Sequence, residues 1–259
     1  MAEYFDEEGD YENGEPTYLP PEKIGNMSLF RAMTGLYILG GDMFMRMQAH
    51  NLEIVDKFIT DLEYQVLQEL VTKEKTPASA FFLSAQSQMW IFAAYELLRT
   101  WQERCKNIIK WANNGGLQQK LDALKAKDNG VPHFGRDNQT QQLESVIADP
   151  TLVTRVKNEL LHLHIPFTRL EFIRVAIAKH EVSGKAKAAA LMPGYGRINM
   201  YCGSLDYQMD SGKVILGTIN RRDIADSLRN IDCNDEPPSD EVLKSFNDFM
   251  YCKNFPNLE

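Results

Sequence analysis

Two long segments of the chain repeat their apolar residues at the spacing of an α-helix. In LEIVDKFITDLEYQVLQEL, the apolar residues follow one another at steps of three and four. A broader apolar stripe runs through the segment that begins at Ala78 and includes Trp90 and Trp101. A helix brings residues at these steps onto one side of the backbone. The spacing therefore predicts a helical bundle, in which the second segment is a central helix.

Capping residues predict where the helices begin. Asn51 is the expected N-cap of the first long helix, and Thr76-Pro77 is the expected start of the second. Thr168 is the expected N-cap of a later helix, after Pro166 interrupts the chain. The other predicted helices cover Ser28 to about Ala49 with a break at Gly40-Gly41, the segment LQQKLDALKAK, Gln139–Ala148 and Leu152–Leu163.

The pattern changes after Val182, where apolar and polar residues alternate in places. Alternation between turn signals is typical of β-strands. Asn220 then begins the helix RRDIADSLRNI, with Asp223 placed for a capping box. The predicted strands of an antiparallel meander are Arg197–Cys202, Leu205–Met209 and Val214–Ile219.

The predicted fold class is mainly α, with a helical bundle followed by a small three-stranded antiparallel β-meander and a C-terminal helix. Its predicted segments are an acidic disordered tail at 1–26, the bundle at 27–182, the meander and a helix at 183–232, and an extension at 233–259. The hydrophobic fraction of 44% in 259 residues is ordinary for a protein that buries a core.

The net charge of −8 is concentrated at the N-terminus. Residues 1–26 hold eight acidic residues and one lysine, so the rest of the chain is close to neutral. The acidic balance therefore does not argue against an anionic ligand on the body. Such a segment is typical of disorder, and it also predicts a protein partner for the tail.

The sequence predicts a cytoplasmic protein with no membrane partner. The apolar stretch LYILGGDMFM is too short to span a bilayer and contains Asp42. The four cysteines form no C-x-x-C pair, and no segment has the pattern of a signal peptide. No cofactor or metal is predicted, since Walker and Rossmann patterns are absent and His162 and His164 point to different sides of a helix.

The octapeptide RVAIAKHE contains the candidate catalytic residues Arg174 and His180. They are six positions apart, so they lie about 120° apart around a straight helix. His180 is three positions after Ile177 and continues the apolar stripe, which predicts that it faces inward with Arg174 at its flank. The alternative is that the histidine is partly buried and the arginine is a salt-bridged surface residue.

An arginine followed by five residues and a histidine, on a late helix of a bundle, resembles the HEPN superfamily. The resemblance covers about Pro77–Glu181. It implies a homodimeric RNA-binding protein or metal-independent endoribonuclease in a defence or toxin system, in which two copies of the motif meet. His180 would then act as the general acid or base, and Arg174 would stabilise charge on the phosphate. Val175 follows the arginine, where active members commonly have a small polar residue.

Basic residues interleaved with tyrosines surround this motif. In such a mixture, the basic side chains can bind phosphates and the tyrosine rings can stack on bases. The alternative is an ordinary solvated surface, which the nearby aspartates favour. The residues predicted to bind RNA are Lys179, Lys185, Tyr195, Arg197, Arg221 and Arg222.

The sequence is also compatible with two other functions. The first is a non-catalytic helical module for dimerisation or protein interaction, which the Val175 departure favours. The second is an inhibitor protein that acts through its acidic tail. The Met- and aromatic-rich run Met27–Met47 indicates core or dimer-interface packing rather than a cofactor or membrane surface.

Overall fold

A computed structural model describes residues 18–127, 130–212 and 214–252, apart from the side chains of residues 186 and 187. It confirms the predicted fold class, with ten α-helices in these residues, a three-stranded antiparallel sheet and a C-terminal helix. The helices are α1 (Ser28–Gly35), α2 (Tyr37–Gly40), α3 (Met43–Lys73), α4 (Ser79–Asn113), α5 (Leu117–Lys125), α6 (Phe134–Ala148), α7 (Thr151–His162), α8 (His164–Lys179), α9 (Arg221–Arg229) and α10 (Asp240–Met250). The strands are β1 (Glu181–Val182), β2 (Lys185–Ala189), β3 (Gly196–Ile198), β4 (Leu205–Asp210) and β5 (Ile215–Ile219).

The two long predicted helices are α3 and α4, and their predicted apolar stripes lie largely in the core. The expected N-cap at Asn51 is wrong, because α3 begins nine residues earlier than predicted. Asp42 is the N-cap, and its carboxylate accepts hydrogen bonds from the backbone N–H groups of Phe44 and Met45 at 2.9 and 3.0 Å. Arg104 on α4 pairs with the same carboxylate at 2.6 Å. This cap therefore also holds the start of α3 against α4.

Two other predicted helix starts also differ from the structure. Ala78 occupies the N-cap position of α4 and makes no side-chain cap, so Thr76 is not the cap. The helix α8 begins at His164, and Thr168 lies buried inside it. Pro166 does not interrupt α8, because it stands in the first turn, where a backbone N–H has no partner within the helix.

The meander has the sheet order β3-β4-β5, with antiparallel pairing throughout. Tyr207 on β4 lies opposite Gly196 on β3 and Ile219 on β5. The hairpin of β1 and β2 was not predicted, since the alternating lysines and alanines of Lys185–Ala189 carry little strand propensity. In the turn before β4, Gly203 has a φ of +77°, and a Cβ there would lie 2.0 Å from the Glu63 carbonyl oxygen of α3. This glycine lets the sheet approach α3 closely.

The predicted capping box at the start of α9 is confirmed. The Asn220 side chain accepts from the Asp223 backbone N–H, and the Asp223 carboxylate accepts from the Asn220 backbone N–H, each at 2.9 Å. The buried apolar residues of the bundle, the sheet and α9 form one cluster. The core is therefore continuous across residue 182, where the predicted segments change.

A buried ion-pair network joins α9 to α3. Arg221 is fully buried and donates to both carboxylate oxygens of Glu63, at 2.8 and 2.7 Å, and to the Thr60 hydroxyl at 3.1 Å. It also pairs with Asp56, which is shared with Arg229. Burial alone would lower the pKa of Arg221, but the charges of Glu63 and Asp56 outweigh this effect and raise it.

Residues 18–26 belong to the folded body rather than to the predicted disordered tail. The Tyr18 hydroxyl donates to Asp223 at 2.7 Å and accepts from the Asn220 amide at 3.1 Å. The carbonyl of Leu19 accepts from Arg222, and residues Pro21–Lys23 form a 3-10 turn. Buried polar groups at the start of α9 hold this segment in place. The composition of the segment could not predict these contacts, because their partners are about 200 residues away. The predicted disorder of residues 1–17 lies outside the described residues.

We predict that Arg221→Met lowers the free energy of unfolding by about 3–5 kcal/mol, because it leaves buried carboxylates without their counter-charge. Arg99→Met is the matched control. Arg99 pairs with Glu96 and Glu103 on the exposed side of α4, and such pairs contribute less than about 1 kcal/mol. Urea unfolding followed by circular dichroism measures both. Equal losses in the two variants would contradict a stabilising role for the network.

Candidate functional site

Arg174 lies at the contact between α8 and α4. Its guanidinium carbon is 4.7 Å from the centre of the Tyr95 ring, and its Nη2 is 3.6 Å from an oxygen of Glu96. Tyr95 in turn stacks on Phe167 and donates a hydrogen bond to Glu171. The arginine therefore packs its charged end against an aromatic ring and a surface carboxylate, as a structural arginine does.

His180 is not on the buried stripe of α8, so the expectation that it faces inward is wrong. It follows the last residue of the helix in a left-handed conformation with a φ of 56°, and its side chain is exposed. Its backbone N–H donates to the Ala176 carbonyl at 3.0 Å, which completes the helix end, and its carbonyl accepts from Ala190 at 2.9 Å. The change of backbone direction at this residue turns the side chain away from the helix stripe.

The residues predicted to bind RNA do not form one surface. Lys179 is exposed, and Lys185 donates to the Ser211 carbonyl at 3.1 Å. Tyr195 and Arg197 are exposed and line a separate cleft of about 440 Å³ beside Phe81. Arg221 and Arg222 are fully buried, and both are bonded to protein groups. Their guanidinium groups are therefore not exposed to bind phosphate, contrary to the prediction.

A groove of about 430 Å³ runs between α3 and α4 on the outside of the bundle. Leu52 and Trp90 form part of its lining, and the Trp90 indole N–H donates to the Leu52 carbonyl at 3.2 Å. The Trp90 ring also lies 5.5 Å from the guanidinium carbon of Arg221. Trp90 therefore contacts the groove on one side and the ion-pair network that joins α3 and α9 on the other.

Exposed apolar residues continue on both sides of this groove. The surface is called the α3–α4 seam here and consists of Phe44, Met47, Asn51, Ile54 and Phe58 on α3 and of Phe82, Gln86, Met89 and Ala93 on α4. The steps along each helix alternate between three and four residues, which is the heptad spacing of a coiled-coil interface. Its six large apolar side chains are between 42% and 63% exposed.

The two helices of the seam meet at a pair of aromatic rings. Phe58 and Phe82 meet edge to face with ring centres 6.3 Å apart, so the two helices contribute to one patch. Glu96 is the one charged residue among those that line the groove in the described part of the chain, and it is paired with Arg99 and Arg174. Large exposed apolar patches mark binding surfaces more often than chance exposure.

Sequence reasoning identified only part of this surface. The Met-rich run that ends at Met47 was assigned to core or dimer-interface packing, and it includes Phe44. Ile54 and Phe58 were missed, because they lie beside the predicted apolar stripe of α3, which consists of Leu52, Val55, Ile59, Leu62, Val66 and Leu70. The signal for the seam was a second set of apolar residues at heptad steps beside the core set.

Comparison with protein families, with curated proteins and with solved structures finds no match for this chain. The resemblance to the HEPN superfamily therefore stays a prediction based on Arg174 and His180. In the described ranges, no helix is long and apolar enough to cross a membrane. Those same ranges contain no cluster of three or more histidine, cysteine, aspartate or glutamate residues that could hold a metal ion.

We predict that Trp90→Phe lowers the free energy of unfolding by about 1 kcal/mol more than Trp101→Phe, the usual net contribution of one hydrogen bond. Both tryptophans are 1% exposed, but the Trp101 indole N–H has no partner in the described residues. The two variants lose the same atoms, so their difference reports the bond to Leu52 together with the weaker contact of a phenylalanine ring with Arg221. Urea unfolding at one fixed protein concentration measures the two free energies of unfolding. Equal losses in the two variants would show that the contacts of the Trp90 indole do not stabilise the groove.

Proposed function

We propose that this protein is a non-catalytic helical module that binds another protein chain through the α3–α4 seam. The observation that carries the proposal is the exposure of large apolar side chains at heptad spacing on two adjacent helices. Helices dock on such surfaces by inserting side chains between those of the partner. Trp90 and Leu52 line the groove of this surface and are joined by a hydrogen bond.

The predicted endoribonuclease is the rival, and the geometry supports it less. Catalysis would require Arg174 and His180 to act on one phosphate. Arg174 contacts Tyr95 and Glu96, whereas His180 is exposed beyond the end of α8. No bond or ring contact between the two side chains is present in the described residues. The inhibitor alternative depends on residues 1–17, which lie outside the described part.

The interaction proposal predicts a cross-link from Met89. A photoactivatable benzoyl-phenylalanine at position 89 is expected to cross-link to protein in expressing cells, because its side chain is 63% exposed at the centre of the seam. Ile54→Lys in the same chain should abolish the cross-link by placing a charge in the interface. Val71→Lys is the matched control, since Val71 is also an exposed β-branched residue of α3, at 60%. Absence of any protein cross-link from position 89 would contradict the proposal.

The same proposal predicts no ribonuclease activity. Total RNA incubated in EDTA with the purified protein should remain intact, and His180→Ala and Arg174→Ala should behave as the wild type does. The measurement is electrophoresis of the RNA over time. Cleavage by the wild type that is lost in both variants, with unchanged melting temperatures, would overturn the non-catalytic proposal and support the predicted ribonuclease.

A further inference from the structure

We infer that the partner on the α3–α4 seam is a second copy of this chain. The α3 helices of the two copies run antiparallel across a two-fold axis that passes beside Asn51. This inference rests on the proposed function, because it names the partner of the same surface. It places the dimer contact on α3 and α4 rather than on α8, where the resemblance to HEPN domains would place it.

The seam positions of α3 are arranged in a similar way on both sides of Asn51. An apolar side chain lies on either side, Met47 four positions before and Ile54 three positions after, and a phenylalanine lies seven positions away in each direction, Phe44 and Phe58. An antiparallel second copy with its axis at Asn51 would therefore place Phe44 opposite Phe58. Met47 and Ile54 of the two copies would lie within one position of each other across the axis. A two-fold interface must match a surface to itself in this way.

Asn51 lies at the centre of this arrangement and is exposed in the single chain. An asparagine amide carries both donors and an acceptor, so two copies that meet at a two-fold axis satisfy each other. A single asparagine within an apolar heptad interface fixes register and the number of chains, because any shifted register buries an unpaired amide. Asn51 is therefore the residue that selects the antiparallel register.

Charge and area both fit a second copy. The nine seam positions hold no charged residue, so two identical surfaces meet without repulsion, although the chain has a net charge of −8. Half-exposed side chains of this size present roughly 100 Å² each, and six of them present about 600 Å². With the polar residues Gln48, Asn51 and Gln86 of the groove, the surface approaches the roughly 800 Å² per partner of a stable interface.

The chain's own N-terminal segment fits this surface less well. Residues 1–17 contain seven acidic residues and no lysine or arginine. The nine seam positions hold no cation to pair with them, and Arg99 and Arg174 beside the groove are already paired with Glu96. Covering the seam with this segment would therefore place acidic groups on apolar surface without compensation.

The first test is the solution mass of the full chain. Light scattering after size-exclusion chromatography at about 100 µM should give about 59 kDa, twice the 29.6 kDa of the chain. Ile54→Lys should reduce the mass to that of one chain with the circular dichroism spectrum unchanged, whereas Val71→Lys should remain dimeric. A wild type that is monomeric at this concentration would overturn the inference.

The second test is a charge exchange at Asn51. Asn51→Lys and Asn51→Glu each place two like charges beside the two-fold axis, so each variant alone should be monomeric. An equimolar mixture of the two should return to a dimer, because unlike charges then meet at the axis. Dimers in either variant alone, or no reassociation in the mixture, would show that Asn51 does not lie on a two-fold axis.

Mapping the cross-link from position 89 separates this inference from the proposed function. A link to α3 or α4 of a second identical chain supports both. A link to a different protein, or to residues 1–17 of the same chain, with a monomeric wild type overturns the second copy as partner. If the linked chain is a different protein, the proposed interaction function is still supported. If no intermolecular link forms, both the proposed function and the inference of a second copy are overturned.

Discussion

The buried pairing of Arg221 with Asp56 and Glu63 is the interaction on which the rest of the structure depends. It joins α9 to α3, and α9 follows directly from β5, so the position of the sheet depends on it as well. A guanidinium can be buried only where carboxylates compensate for the lost hydration. The same guanidinium contacts Trp90, which lines the groove on the surface of α3 and α4. The core network therefore contacts a residue that lines the groove of the proposed binding surface.

The candidate sites differ in whether their side chains are exposed to a ligand or already bound to other groups of the protein. Arg174 is occupied by Tyr95 and Glu96, and Arg221 and Arg222 are enclosed by the fold. The seam, in contrast, presents apolar side chains that gain free energy when water leaves them. That difference, rather than any motif, is why the interaction proposal has more structural support than catalysis. The order of residues about Asn51 then favours an identical partner.

Local patterns of the chain predicted local features of the fold well. The capping box of Asn220 and Asp223, the meander and the two long helices all involve contacts between residues close in sequence or a repeated spacing. The wrong predictions had other causes. Asn51 resembles an N-cap, but Asp42 holds the earlier helix start through Arg104. Pro166 resembles a break, but the first turn of a helix tolerates proline. Residues Tyr18 and Leu19 were assigned to a tail, although buried groups of α9 bind them.

The candidate site could be predicted only in part, for a physical reason. The sequence by itself determined the periodicity of α3 and α4, because helical spacing depends on residues three and four apart. It also determined that Arg174 and His180 are six positions apart on a late helical segment. Only the tertiary structure decided which sides of the helices are covered. Arg221 was predicted to be a surface cation that binds RNA, yet it is buried against α3, because burial depends on where distant segments pack. Ile54 was not assigned to either side of its helix, and its exposure depends on the same packing.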